Sequence, residues 1–145
     1  MNQLVSTEWL DKNLRKVKIL DTSWHLPNAA RNALEEYKLN HITNSTFFDI
    51  DKNSSQNTNL PHMLPSTKEW ENIISNLGIN NSDHVIVYDN SDVFSSCRVW
   101  YTFLYFGHNS DLISILDGKI QTNISKIKNY CKAEEYHQKY IEKNR

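Results

Sequence analysis

Along this chain, short continuous apolar runs alternate with apolar residues spaced three and four apart, the two signatures of strand and helix. Trp9, Leu10 and Leu14, behind Ser6 and Thr7 as cap candidates, predict a short helix within residues 4–15. The run Val17 to Trp24 predicts a strand, Ala29 to Leu39 a helix with Leu34 and Tyr37 three apart, and Ile42 to Ile50 a second strand. A polar, Asn/Ser-rich loop, Asp51 to Leu60, comes next, followed by Pro61 and Pro65 around a short Met-Leu segment. Ser66 and Glu69 then form a capping box ahead of the stripe Trp70, Ile73, Ile74 and Leu77, and Gly78 supplies a left-handed stop. His84 to Tyr88 and Leu112 to Leu116 are continuous apolar runs of the kind buried on both faces of a parallel sheet. Between them, Phe94 to Phe106 is apolar nearly all round and predicts a buried helix. Strands alternating with helices of about ten residues give an α/β architecture: a central, mostly parallel sheet flanked by helices.

Beyond Ile120 the composition turns to Lys, Glu, Asn and Tyr, and Ile120, Ile124, Ile127 and Cys131 predict one amphipathic helix. The division expected is therefore a domain at 1–120 and a divergent polar tail at 121–145.

Composition narrows the function classes. The 145 residues suit one domain of ordinary size. A formal net charge of -1 speaks against nucleic-acid binding and against a polybasic membrane binder, because neutralising phosphates takes clustered Lys and Arg. The longest apolar stretch, Val99 to Phe106, falls far short of the ~20 residues of a membrane span, and Glu8 interrupts any leader-like segment. The expectation is a cytoplasmic protein with two reduced thiols, Cys97 and Cys131, and no disulfide framework. Neither cysteine belongs to a Cys-x-x-Cys pair and the six His show no close ligand spacing, so neither a metal site nor a cofactor is expected. Cys97 has two readings: a thiol activated in a first helical turn beside Arg98, able to accept sulfur, or an inert buried thiol, which is the commoner state of free Cys. Cys131 has no context that suggests reactivity.

Ordered segments over about four-fifths of the chain resemble the amino-terminal domain of the tandem rhodanese-like sulfurtransferases that use thiosulfate or 3-mercaptopyruvate. They are Val5-Ser6-Thr7-Glu8-Trp9-Leu10, Ile19 to Trp24, Glu36-Tyr37 with His41-Ile42, and Phe47-Phe48-Asp49-Ile50-Asp51. Pro61-His62-Met63-Leu64-Pro65, Val87-Tyr88-Asp89, Phe94-Ser95, Arg98-Val99-Trp100, Phe106-Gly107-His108 and Leu116-Asp117-Gly118 follow in the same order. The resemblance implies a single rhodanese-like domain whose parent activity moves sulfur from a small donor to a cysteine and on to cyanide or a thiol. That cysteine belongs at the carboxyl end of a buried strand, where backbone N–H groups and a helix dipole stabilise the persulfide anion. Here the matching position carries Asp89, which cannot form a persulfide and repels an anionic donor.

The resemblance further implies that Asp51 and His62 face the active loop of a catalytic domain, either assisting proton transfer there or, in the plainer reading, only anchoring the long loop. Arg31 and Arg98 also fall at family positions, with Arg98 expected in an ion pair with Asp21, Asp49 or Asp89. Trp24, Trp70 and Trp100 are expected in core or interdomain packing. Departures include His41-Ile42-Thr43-Asn44-Ser45 and Leu116-Asp117-Gly118-Lys119-Ile120, where turn-forming Gly and Pro are lost; Asn44 suits left-handed geometry better than Lys119 does. Three expectations result. A separate catalytic rhodanese chain completes a truncated or split enzyme; or the domain is a non-catalytic binding module or decaying remnant; or Cys97 is a weak sulfur acceptor.

Overall fold

In the computed structural model, which describes residues 3–117, five parallel strands form one sheet in the order β1-β5-β4-β2-β3. They are β1 (Leu4–Ser6), β2 (Lys18–Asp21), β3 (Ser45–Phe47), β4 (Val85–Tyr88) and β5 (Ile113–Asp117). The helices are α1 (Thr7–Asn13), α2 (Ala33–Leu39), α3 (Thr67–Asn76) and α4 (Ser95–Tyr105), with a 3-10 turn at Pro27–Ala29. This is the α/β architecture expected from the alternating pattern. The tail expected at 121–145, its helix and Cys131 lie outside the described residues. No helix among the described residues is long and apolar enough to cross a membrane.

The central strand β4 shows why the sheet is covered on both sides. Its four side chains are at most 1% exposed and alternate in direction. Val85 and Val87 join Leu20, Phe48, Ile50, Trp70, Val99, Phe103 and Ile113 on one face. Ile86 and Tyr88 join Val5, Leu10, Ile19 and Leu116 on the other. Trp70, on α3, is a core residue that stacks on Phe106 at 5.1 Å between ring centroids, whereas Trp24 and Trp100 are only partly buried against the same core.

Several boundaries differ from the sequence expectation. Residues 4–6 are a strand, not the start of the first helix: Leu4, Val5 and Ser6 pair with Ile115, Leu116 and Asp117, more than a hundred residues away. Ser6 ends that strand and caps α1, its hydroxyl accepting the N–H of Trp9 at 3.1 Å. The second helix starts at Ala33 instead of Ala29, because the Pro27–Ala29 turn ends in left-handed Ala30 and the cap is supplied by Asn32. The second and third strands are shorter than their apolar runs. The capping box of Ser66 and Glu69 is formed in full, and Gly78 turns left-handed at φ 65° after α3. Asn44 also adopts the left-handed region, at φ 67°.

Candidate functional site

In a parallel sheet, ligands gather at the carboxyl edge where the chain leaves neighbouring strands in opposite directions. Strands β2 and β4 are such neighbours: β2 leads outward to β3 on one side, and β4 leads to β5 on the other. The loops after them are laced together. Thr22 donates both its N–H and its hydroxyl to the carbonyl of Tyr88, each at 2.8 Å, and the N–H of Asn90 donates to Ser23 Oγ at 2.8 Å.

Asp89 opens the loop after β4, and its carboxylate is used by that same loop. One oxygen accepts the N–H of Ser91 at 2.9 Å and its hydroxyl at 2.6 Å. The other accepts the N–H of Ser96, in the first turn of α4, at 2.8 Å. The hydroxyls of Ser91 and Ser95, both buried, lie 2.8 Å apart. The donors that could hold an incoming anion are thus directed onto a negative charge of the chain's own. Arg31 braces the loop from outside: it holds Glu36 through two bonds of 2.8 and 2.7 Å and donates to the carbonyl of Asn90 at 3.1 Å. That pairing holds the Glu36 carboxyl below its ordinary range. Beneath, burial pushes the carboxyl of Asp21 up and, with the nearby charge of Asp89, disfavours its ionisation.

The loop after β3 behaves differently. Asp51 is exposed, and its carboxylate accepts a hydrogen bond from the Nε2–H of His62 at 2.7 Å. The indole Nε1–H of Trp24 donates to both oxygens of the same carboxylate, at 3.2 and 3.1 Å, and the Trp24 and His62 rings meet edge to face at 4.7 Å. A carboxylate fixed by an indole and bonded to one imidazole nitrogen orients that imidazole for proton transfer. His62 sits at φ 57°, an uncommon conformation for a bulky residue, and its carbonyl accepts from the Arg98 guanidinium.

Arg98 therefore does not pair with Asp21, Asp49 or Asp89. Asp89 is filled by loop donors, Asp49 meets Lys52 at 3.3 Å, and Arg98 instead reaches outward from α4 to tie down the 61–65 loop. Cys97 lies third in α4 and is partly buried against the core. The sequence brought Asp51 and His62 together through the resemblance, but missed Trp24 as their third member, since nothing in residue spacing sets an indole 27 positions away on a carboxylate. Under the 61–65 loop, Phe48, Ile50, Met63 and Arg98 help line a cavity of about 10 Å³, room for about one water and too little for a sulfur donor. Among the described residues no cluster of three or more His, Cys, Asp or Glu is placed to hold a metal ion.

The family model of the rhodanese-like domain matches residues 6–122. The chain belongs to the rhodanese-like family. A second, much shorter match, to peptide methionine sulfoxide reductase, covers residues 108–145. Similar curated proteins include thiosulfate/3-mercaptopyruvate sulfurtransferase 1 of Arabidopsis thaliana, 46% identical across 79% of this chain and 30% of that protein. The 3-mercaptopyruvate sulfurtransferase of Rattus norvegicus is 40% identical across 79% of this chain and 41% of its own length. Among solved structures, the 3-mercaptopyruvate sulfotransferase of Escherichia coli superposes with a TM-score of 0.73 at 27% identity, over 91% of this chain and 57% of that one. The sulfur transferase subunit of yeast mitochondrial complex I gives 0.72 at 37% identity, over 79% of this chain and 38% of its own. This rhodanese-like chain thus spans well under half the length of the curated relatives it matches.

Proposed function

We propose that this rhodanese-like domain serves sulfur transfer from thiosulfate or 3-mercaptopyruvate without carrying the sulfur itself. It presents Asp51 and His62 to a cysteine-bearing rhodanese domain. There the partner's thiolate attacks the donor sulfur: with thiosulfate, the S–S bond breaks, sulfite leaves with the electron pair, and a cysteine persulfide remains. Cyanide or a thiolate then takes the outer sulfur and the cysteine thiolate returns. With 3-mercaptopyruvate a carbon–sulfur bond breaks and the leaving carbon needs a proton, which an imidazole held by a carboxylate can deliver. The observation that carries this reading is the contrast between the exposed Asp51–His62 couple and Asp89, whose oxygens are filled by loop donors.

Mixing tests it. The full chain and a cysteine-bearing rhodanese domain are assayed for turnover of 3-mercaptopyruvate, separately and together. The mixture should exceed the sum of its parts, and Asp51→Asn or His62→Gln should remove the excess. No gain on mixing wild-type chains overturns the proposal.

A further inference from the structure

The amino edge of the sheet, opposite the Asp51–His62 couple, holds two imidazoles that the sulfur chemistry does not use. His84 immediately precedes β4, and its carbonyl accepts the N–H of Lys18 at 2.9 Å. Side chains alternate along a strand, so His84 shares the face of Ile86 and Tyr88, the face that α1 covers. Ser114 of β5 lies on that face too, next in line to Leu116. The row that continues into two fully buried side chains thus begins with a titratable ring.

That ring joins three elements. His84 Nε2 lies 3.0 Å from the hydroxyl oxygen of Ser114, which is itself buried. The His84 ring also meets the indole of Trp9, on α1, at 5.3 Å between centroids and a tilt of 57°. Trp9 and Leu10 carry the packing of α1 on the sheet, and β1 is an edge strand of three residues that pairs only with β5. The second imidazole comes from the turn after α4. His108 Nε2–H reaches the carbonyls of Asp83, at 3.1 Å, and of Leu112, at 3.2 Å, which sets it beside the residue preceding His84.

The surroundings offer a charged His84 little compensation. From α1 the ring meets an uncharged indole, while Asp11 and Lys12 are exposed. From β5 it meets a hydroxyl, and Asp111 in the turn before that strand is exposed. The carboxylate of Asp83 accepts the N–H of Asn80 at 2.8 Å, and Lys18 meets His84 through its backbone with its side chain exposed. Burial first, and then the charge of His108, hold the His84 imidazole below its ordinary range.

We propose that His84, Trp9, Ser114 and His108 form an acid-sensitive clasp, in which protonation of His84 loosens the β1–α1 segment while α3 and α4 keep their packing. The folded site holds the proton of His84 more weakly than the unfolded chain does. The clasp is therefore closed above the unfolded imidazole value of about 6.5 and opens as pH falls below it towards the lower folded value. This inference is independent of the sulfur-transfer reading.

Hydrogen exchange of the full chain at about pH 7.5 and about pH 5, corrected for the intrinsic pH dependence of exchange, tests it together with a magnetic-resonance titration of the histidines. Opening of residues 4–13 should increase about threefold or more at the lower pH, with residues 67–76 unchanged. His84→Gln, which keeps a side chain able to bond Ser114, should abolish that increase, and His108→Gln should reduce it. An increase spread evenly over the chain, or one that persists in His84→Gln, overturns the clasp. The titration of the wild-type chain decides even where a variant fails to fold: His84 should titrate below the ordinary imidazole value. A midpoint at or above that value, as for a cation held by the Trp9 indole, overturns the proposal.

Discussion

Asp89 and Asp51 occupy comparable places, each in a loop at the carboxyl edge of the same parallel sheet, and they are used in opposite ways. Asp89 turns inward. Its two oxygens take three donors from its own loop and from the first turn of α4, so the loop closes around a built-in anion. Asp51 turns outward, with its oxygens shared between an indole and an imidazole that both lie near the surface. The difference teaches that one residue type serves as internal scaffold where backbone N–H groups converge on it, and as an orienting group where only side chains do. The loop after the central strand is filled from within, and the neighbouring loop keeps its couple at the surface.

The comparison can be broken by substitution. Asp89→Ala should have the largest effect on stability, about 2–3 kcal/mol in urea unfolding, since it strands two backbone N–H groups and a buried hydroxyl that a charge had satisfied. A cost below about 0.5 kcal/mol would mean that the loop does not depend on its internal anion. Arg98→Met should cost less, about 1 kcal/mol, by freeing the His62 carbonyl, and should raise amide exchange across 62–65 while leaving β4 protected. Uniform exchange across the chain would contradict its role as a local tie.

Asp21, the third aspartate of this edge, sharpens the contrast through pH. Its folded carboxyl is raised by burial and by the charge of Asp89, so folding binds its proton more tightly than the unfolded chain does. That contribution is full below the unfolded value near 4 and is lost as pH rises through the higher folded value. Asp21→Asn should therefore flatten the stability profile above about pH 4, whereas an unchanged slope would place the dependence elsewhere. Asp51→Asn should have the smallest effect on folding, under about 0.5 kcal/mol, because the carboxylate it replaces is exposed. Its consequence should be felt in assisted turnover instead.

Much of this was legible in the residues. The continuous run His84 to Tyr88 announced a strand buried on both faces, and Ser66 with Glu69 announced the capped helix after the long loop. Edge strand β1 was not legible, because three residues carry no period and their pairing with β5 is settled only when distant segments meet. The second helix was set too early because good helix formers run on from Ala29, while the left-handed turn at Ala30 is a tertiary outcome. At the site, the Asp51–His62 couple was anticipated only through resemblance. Arg98 was assigned to a carboxylate because charge suggests charge; a carbonyl exposed by His62's left-handed backbone won that contest instead.

The central claim of the proposed function is that Asp89 stands where the resemblance places a sulfur-carrying thiol, so that this domain by itself takes up no sulfur. Intact-mass spectrometry of the full chain after incubation with thiosulfate, without reductant, tests it most directly. The account predicts an unchanged mass. A stoichiometric gain of one sulfur, mapped to Cys97 and lost in Cys97→Ser, would contradict it.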